Sequence, residues 1–112
     1  MQQTPARHYR VYVITLKKSV LKDRRFVATN PEYRAGKPCV YVGMTGKDPQ
    51  VRFEQHKMGY KSGRLAKRYA KNLRTDVIKA FGFRAQTYEA ALKRERELAN
   101  ELRLRGWGVS QG

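Results

Sequence analysis

Two short runs of β-branched and aromatic residues constrain the fold of this chain most. They occupy residues 9–16 (YRVYVITL) and 39–43 (CVYVG), and residue types of this kind favour β-strands. The first run is mostly apolar, which indicates a strand in the interior of a sheet. Its longest apolar stretch, Val11–Ile14, falls far short of the roughly 20 residues that span a membrane, so we expect no membrane anchor.

Capping signals predict helices elsewhere in the chain. Asp48 followed by Pro49 is a typical helix start, since the carboxylate caps a free amide and proline needs no amide partner there. Thr87 and Gly106 bracket a long amphipathic stretch in the same way. Together with apolar spacing, these signals predict helices over residues 49–59, 62–74 and 88–105, a short strand over 76–83 and an edge strand over 107–109.

The stretch between the two strand-like runs, residues 17–38, is unusually long for a connection. It is rich in lysine and arginine and contains the breakers Asn30-Pro31 and Gly36-Lys37-Pro38. We expect a basic excursion with a short extended piece at 25–28. Connections of this length are often functional.

The length of 112 residues limits the chain to one hydrophobic core. A chain of this size buries roughly two-thirds of its surface on folding, which supports a single domain over residues 1–112 but no second core. Residues 1–8 lack the apolar segment of a secretory signal, and Cys39 is the only cysteine. We therefore expect an intracellular protein of the cytoplasm or nucleoid.

The charge balance indicates a polyanionic partner. The chain has 25 Lys+Arg against 9 Asp+Glu, a formal net charge of +16, and nucleic acid is the commonest partner of so basic a domain. No acidic residue occurs between 55 and 75, where cations recur at three- and four-residue intervals. On the predicted helix they would stack along one side as a nucleic-acid-binding basic stripe, which consists of Lys57, Lys61, Arg64, Lys67, Arg68, Lys71 and Arg74.

Glu95 interrupts the apolar side of the last predicted helix, three or four residues from alanines and leucines. Its carboxylate should therefore point toward the body of the protein, where an unpaired carboxylate is costly. Two explanations are open. Glu95 forms a buried ion pair with one of the many cations, or it is a ligand for Mg²⁺ or a similar hard cation at a cleft.

Arg52 and His56 lie four residues apart, so they share one face of a predicted helix. Charged positions on a helix most often only face solvent. The functional alternative is that Arg52 holds a phosphate with its planar guanidinium while His56 transfers or orients a proton. Tyr12 and Tyr41, inside the two strands, would by themselves indicate packing residues.

Taken in order, these residues resemble the pattern of the GIY-YIG nuclease family. The matching residues are Arg10-Val11-Tyr12, Tyr41-Val42-Gly43 with Thr45, Arg52 with His56, and Glu95 on the last helix. The resemblance covers about residues 9–109, and its most specific part is the spacing within 41–56. It implies an α+β fold in which a small three-stranded, mainly antiparallel sheet is flanked by helices.

The resemblance also implies a metal-dependent endonuclease that hydrolyses phosphodiester bonds in DNA. Tyr12 and Tyr41 would flank the scissile phosphate, and one of them, assisted by His56, would activate the attacking water. Arg52 would stabilise charge on the phosphate, and Glu95 would hold one divalent metal ion, Mg²⁺ or Mn²⁺. Support for the site would come from two further residues, Gly43 through close backbone approach and Thr45 through hydrogen bonding.

The chain departs from the family pattern at three places. Arg10 replaces the first glycine, residues 17–38 resemble an insertion that reads substrate, and Trp107 stands where many members have asparagine. The missing asparagine keeps an alternative function open, a non-catalytic nucleic-acid-binding module with the same fold. Many members are tethered to a targeting domain, and without one this chain would act alone, as a homodimer or with a protein partner. Charge does not separate DNA from RNA; the resemblance implies DNA.

Overall fold

The sheet is built around the first predicted strand. A computed structural model describes residues 9–60, 63–81, 84–85 and 87–112. The strands are β1 (Tyr9–Leu16), β2 (Cys39–Thr45), β3 (Ala70–Leu73), β4 (Arg84–Ala85) and β5 (Gly108–Gln111). β1 pairs antiparallel with β2, β3 and β4, whereas β2 pairs parallel with β5, and the order is β3-β1-β2-β5 with β4 also on β1. The α+β class and the mainly antiparallel sheet are confirmed, and the described sheet has five strands rather than three.

Helices flank the sheet. They are a 3₁₀ turn at Lys18–Lys22, α1 (Arg24–Ala28), α2 (Pro49–Met58), α3 (Arg64–Tyr69), α4 (Thr75–Phe81) and α5 (Tyr88–Leu104). The predictions for α2 and α5 are confirmed: Asp48 and Thr87 accept hydrogen bonds from amides in the first turn at 2.8 and 3.1 Å. Gly59 and Gly106 follow the two helices with φ of +81° and +86°. No helix among the described residues combines the length and apolar composition that crossing a membrane requires.

The helix predicted over 62–74 is wrong beyond Tyr69. α3 ends there, and the chain continues as β3 along an edge of β1. Two backbone hydrogen bonds of 2.8 Å hold this pairing, from the Lys17 amide to the Tyr69 carbonyl and from the Arg74 amide to the Val13 carbonyl. Because backbone groups at a sheet edge need partners, the edge of β1 outweighs the helical periodicity of this segment. The basic stripe therefore does not lie on one helix, and Lys61 lies outside the described residues.

Three smaller predictions also differ from the structure. Residues 25–28 belong to α1 and are not extended, because Asp23 accepts a hydrogen bond from the Phe26 amide at 3.0 Å and the Phe26 ring is buried. Residues 75–81 form α4 instead of a strand, and α4 buries Val77 against the sheet; residues 82–83 lie outside the described residues. β2 does not stop at Gly43 but continues to Thr45.

Alternate residues of β1 and β2 enter two different hydrophobic clusters, one on each face of the sheet. One cluster is aliphatic apart from a partly buried tryptophan at its border, and its members from the sheet and α5 are Val11, Val13, Val40, Val42, Val109, Leu98, Ala99 and Leu102. The other is rich in aromatic rings, and its members include Tyr12, Tyr41, Phe26, Phe53 and Tyr69. The two strands thus present Tyr12 and Tyr41 on the same face.

Residues 17–38 contribute directly to this core. Val20 and Phe26 are buried in the aromatic cluster. The buried Asn30 side chain donates to the Val109 carbonyl at 3.0 Å and accepts from the Val109 amide at 2.8 Å, so it occupies the edge of β5 as a further strand would. The description of these residues as an insertion stays a prediction.

Candidate active site

A cavity of about 520 Å³ is lined by residues of β1, β2, α2, α3, α5 and β5. It is called the larger cavity here, because a second, smaller cavity lies next to it. Four of the five predicted catalytic residues line it: Tyr12, Tyr41, Arg52 and Glu95. The fifth, His56, is completely buried and lies against Tyr12. The structure therefore brings together residues that are up to 83 positions apart in the sequence (95 − 12 = 83).

Tyr12 and His56 form a buried hydrogen-bonded pair. The Tyr12 hydroxyl lies 2.6 Å from His56 Nε2, and the Tyr41 ring completes the cluster at 5.2 Å from the imidazole and 6.3 Å from the Tyr12 ring, centroid to centroid. Burial, aided by the Arg52 charge, lowers the pKa of His56 to about 4, so the imidazole is neutral near neutral pH. Burial raises the pKa of both tyrosines, which keeps their hydroxyls protonated. A protonated Tyr12 can thus donate to an unprotonated Nε2.

Gly43 makes the position of Tyr12 sterically possible. The two residues are register partners in the β1–β2 pair, and a Cβ added at Gly43 would lie 2.5 Å from the Tyr12 hydroxyl oxygen. Any side chain there would displace the ring from His56. The close approach expected of Gly43 is therefore present in the structure, and it acts on a neighbouring side chain.

Thr45 is buried but lies beside a different cavity. Its hydroxyl oxygen accepts a hydrogen bond from the Lys47 amide at 3.0 Å, which shapes the turn after β2. That turn borders a second cavity of about 320 Å³, to which Thr45 contributes. Thr45 therefore does not line the larger cavity, which holds Tyr12, Tyr41 and Glu95.

Arg52 lies between the two cavities and lines both. One of its terminal nitrogens donates to the Gln55 side-chain oxygen at 3.2 Å and to the Tyr60 carbonyl at 3.1 Å. Its charge favours the ionised form of Tyr12 and Tyr41, although burial outweighs this effect on the pKa of each tyrosine. The sequence placed Arg52 on the same helix face as His56, and the structure puts only Arg52 at the cavity surface.

Glu95 presents a buried, incompletely bonded carboxylate to the larger cavity. The residue is 2% exposed, and its Oε1 atom has no hydrogen-bond partner in the described part of the chain. Burial raises the pKa of Glu95 to about 7, while the backbone amide of Gly112 and the charge of Arg96 act in the opposite direction. The ion pairs within the described ranges do not include Glu95, so the alternative of a buried ion pair has no support there.

A hard divalent cation fits this carboxylate. Oxygen ligands suit Mg²⁺ and Mn²⁺, and Mg²⁺ often takes one or two protein carboxylates, with waters and substrate phosphate oxygens completing its shell. Over the described residues there is no cluster of three or more His, Cys, Asp or Glu side chains. Glu95 would therefore be the protein's own ligand, and the cation's remaining ligands would come from water and phosphate.

The cations of the basic stripe occupy different environments. Arg64 lines the larger cavity and forms an ion pair with Asp23 at 2.6 Å, and Arg74 pairs with Asp76 at 2.8 Å. Two others lie near aromatic rings: Lys57 is 5.3 Å from the Phe53 centroid, and Arg68 is 5.4 Å from that of Tyr69. The exposed remainder in the described part consists of Lys67 on α3 and Lys71 on β3.

Trp107 does not line the larger cavity. It packs at the border of the aliphatic cluster, and the Arg74 guanidinium lies 5.4 Å from its ring centroid. Sequence reasoning missed the polar residues that do reach the cavity at this end of the chain, which are Ser110 and Gln111 of β5. Ser110 is the register partner of Tyr41. The parallel β2–β5 pairing that brings them there leaves no signal in the local sequence.

Comparison with known proteins agrees with this geometry. The model of a family described as the GIY-YIG catalytic domain matches residues 8–107. Neither a curated protein nor a solved structure matches the chain significantly. The matched range contains all five residues of the predicted catalytic set.

Proposed function

The chain belongs to the GIY-YIG nuclease family, and from this premise we propose that it is a metal-dependent endonuclease that hydrolyses phosphodiester bonds in DNA. The observation that carries the proposal is the buried Glu95 carboxylate, whose Oε1 atom has no hydrogen-bond partner among the described residues and which lines one cavity with Tyr12 and Arg52. Burying a carboxylate without full hydrogen bonding destabilises the fold, so packing alone does not explain a glutamate at this position.

In the proposed reaction, Tyr12 and His56 activate the water. The Tyr12 oxygen takes a proton from the attacking water while the hydroxyl proton of Tyr12 passes to His56 Nε2, which lies 2.6 Å away. The water oxygen forms a bond to phosphorus, and the bond from phosphorus to the leaving oxygen breaks. A neutral His56 is the form that can accept this proton, and the negative charge of a bound phosphate would raise its low pKa toward a useful range.

Arg52 is proposed to hold the scissile phosphate. Its hydrogen bonds to the Gln55 side chain and the Tyr60 carbonyl hold one terminal nitrogen of the guanidinium in place. Such a preorganised cation stabilises the charge that grows on the phosphate oxygens in the transition state. Arg64, on the same cavity, would contact the phosphate backbone nearby.

Glu95 is proposed to hold the divalent cation, Mg²⁺ or Mn²⁺. When bound there, the cation would stabilise negative charge on the phosphate and on the leaving oxygen. Coordination would also favour the ionised form of Glu95, whose pKa in the folded protein is raised to about 7, mainly by burial.

Cleavage of a panel of nucleic acids tests the proposal. Labelled plasmid, duplex, branched and single-stranded DNA, with single-stranded RNA for comparison, are incubated with Mg²⁺, Mn²⁺ or EDTA and the wild type or Glu95→Gln. We expect metal-dependent cleavage of DNA that Glu95→Gln abolishes without loss of DNA binding. The matched control is Glu97→Gln, which changes an exposed glutamate of the same helix and should leave cleavage intact.

The second candidate is a non-catalytic nucleic-acid-binding module. It is favoured by Trp107, which replaces the family asparagine and packs outside the larger cavity. Tight DNA binding by the wild type without cleavage in either metal would overturn the nuclease proposal and support this module. Sedimentation of the wild type with and without DNA would distinguish a protein that acts alone from a homodimer.

A further inference from the structure

The second cavity has the composition of a nucleotide subsite. It measures about 320 Å³ and borders the larger cavity, since Arg52 lines both. Its other lining residues combine aromatic, cationic and amide groups, namely Tyr9, Thr45, Lys47, Gln55 and Tyr60 with Gly46. None of these lining residues is acidic. A phosphate held by Arg52 would therefore have its neighbouring nucleotide beside a positively charged, aromatic surface.

Tyr60 is placed at this cavity by the end of α2. Gly59 takes the left-handed conformation (φ +81°), which reverses the chain. The Gly59 amide then donates to the His56 carbonyl at 3.0 Å and the Tyr60 amide to the Gln55 carbonyl at 2.9 Å, the paired hydrogen bonds of a Schellman motif. Arg52 donates to the Tyr60 carbonyl in turn. The Tyr60 backbone is thus fixed to α2 while its side chain is 52% exposed.

The cations around the ring suit a phosphate attached to a stacked base. Lys47 Nζ lies 5.9 Å from the Tyr60 ring centroid, and the Lys47 amide is held by Thr45 at 3.0 Å. Arg52 also lines this cavity and donates to the Tyr60 carbonyl. Aromatic platforms combined with cations that track the backbone are the usual means of binding single-stranded nucleic acid.

We propose that the second cavity binds an unpaired DNA nucleotide next to the scissile phosphate, with its base stacked on Tyr60 and its phosphate near Lys47. Within a duplex both faces of a base are covered by its neighbours, and unstacking it costs energy. A half-exposed tyrosine face therefore selects a base that is already unpaired. This inference rests on the proposed nuclease function and deepens it: the substrate is DNA with unpaired nucleotides beside the cleavage site.

Binding without cleavage tests this subsite directly. In EDTA, affinities are measured for a duplex, for the same duplex with a single-stranded extension and for the single strand alone, with a fluorescent adenine analogue in the unpaired part. Stacking on an aromatic ring is worth enough to change affinity by about 5- to 150-fold. We expect Tyr60→Ala to lose affinity in this range for the two unpaired DNAs, to lose the fluorescence change on stacking, and to bind the duplex within about twofold of the wild type.

Two further variants separate stacking from folding. Tyr60→Phe keeps the ring and should bind like the wild type. Met58→Ala removes another large, 82% exposed side chain at the end of the same helix and should also bind like the wild type. Unchanged affinity of Tyr60→Ala for the unpaired DNAs, or an equal loss for duplex and unpaired DNA, would overturn the subsite.

The outcome is independent of whether the protein cleaves DNA. If Tyr60→Ala loses affinity for unpaired DNA but no DNA is cleaved in any metal, the nuclease proposal fails while the nucleotide-binding cavity stands. If DNA is cleaved and Tyr60→Ala binds every DNA like the wild type, the subsite fails and the nuclease proposal stands.

Discussion

Two helices that line the larger cavity, α2 and α5, each bury one ionisable side chain, and the surroundings of these two side chains differ. His56 of α2 is fully buried and bonded to Tyr12 at 2.6 Å, and burial lowers its pKa to about 4. Glu95 of α5 is 2% exposed and has one oxygen without a hydrogen-bond partner in the described part of the protein, and burial raises its pKa to about 7. Burial disfavours the charged form of both, but His56 Nε2 is bonded to Tyr12, whereas Glu95 Oε1 has no partner among the described residues.

The difference distinguishes the part of the site whose polar groups are bonded within the protein from the part that leaves an acceptor open. On the α2 side, Gly43 leaves room for Tyr12, and Tyr12 satisfies His56. On the α5 side, a buried acceptor without a partner costs about 1–3 kcal/mol, a cost that a bound cation would remove. Both features fit the proposed hydrolysis with a single metal ion, which needs a positioned proton acceptor and an open ligand position for the cation.

Removing the Tyr12 hydroxyl should have the largest effect. Tyr12→Phe abolishes the bond to His56 on the α2 side, and because a positioned acid–base group contributes about 10²- to 10⁴-fold, we expect kcat to fall by that factor. DNA affinity should stay within about threefold, since Arg52 remains in place. Single-turnover cleavage and binding in EDTA measure the two quantities.

The matched control for Tyr12→Phe is Tyr33→Phe. Tyr33 donates to the Lys37 carbonyl at 2.7 Å and does not line the larger cavity, so losing its hydroxyl should leave kcat unchanged. A Tyr12→Phe protein that cleaves as fast as the wild type would exclude the Tyr12–His56 pair from the chemistry.

Neutralising Glu95 should stabilise the metal-free protein. Its pKa is raised from 4.5 to about 7, so the folded state loses stability as pH rises through this range. One pKa unit corresponds to about 1.4 kcal/mol, and Glu95→Gln should therefore raise the free energy of unfolding by up to about 3 kcal/mol at about pH 8 and by little at about pH 4. Denaturant unfolding in EDTA measures this.

Added Mn²⁺ supplies the second half of the same experiment. It should raise the Tm of the wild type, because a ligand that binds only the folded state stabilises it, and should leave Glu95→Gln unchanged. Equal responses of the two proteins to Mn²⁺ would place the cation elsewhere.

His56 should give the opposite dependence on pH. Its pKa is lowered from 6.5 to about 4, so its contribution to stability is complete above 6.5 and is lost as pH falls toward 4. In the wild type this loss and the Glu95 effect partly cancel between 4.5 and 6.5. We expect stability to rise with pH over this interval in Glu95→Gln and to fall with pH in His56→Gln.

The control for His56→Gln is Met58→Ala, which changes an exposed, non-ionisable side chain of the same helix. Its pH profile should match that of the wild type. Parallel profiles for His56→Gln and Glu95→Gln would contradict the assignment of opposite protonation preferences to the two sides of the cavity.

Neutralising cations at the surface should have the smallest effect on DNA binding. The effect should be larger for two lysines of α2 and β3 than for two arginines at α5. Lys57 and Lys71 lie in the stretch without acidic residues, so replacing both by glutamine should lower the slope of log affinity against log salt by about 1.8, or about 0.9 per phosphate contact. On α5 and the residue after it, Arg94 and Arg105 pair with Glu97 and Glu101 at 3.5 and 3.0 Å. Replacing these two arginines should leave the slope nearly unchanged. Equal slopes for the two double variants would contradict the idea that the lysines contact DNA phosphates and the paired arginines do not.

Most of the site was predictable because its residues carry local or family-specific signals. Tyr12, Tyr41, Arg52 and Glu95 were identified from the sequence and line one cavity. The position of Thr45 beside the second cavity was not predictable, since it depends on how the turn after β2 packs against Tyr60. The same holds for Ser110 and Gln111, which reach the larger cavity only through the parallel pairing of β5 with β2.

The errors in the fold share one cause. Residues 70–73 have helical spacing but pair with β1, and residues 75–81 have strand-like composition but form α4. In each segment the local preference is weak, and contacts with a strand more than fifty positions earlier in the sequence decide the conformation.

By itself, the sequence determined the parts of the protein whose ends are encoded locally, such as α2 between Asp48 and Gly59 and α5 between Thr87 and Gly106. It also determined the cationic character of the surface and the placement of Glu95 on an apolar helix side. Only the tertiary structure decided that His56 bonds to Tyr12, that Glu95 keeps an oxygen with no partner among the described residues and that Tyr60 borders a second cavity. Capping and amphipathicity act within a few residues, whereas hydrogen-bond satisfaction and cavity shape depend on atoms that only the folded chain brings into contact.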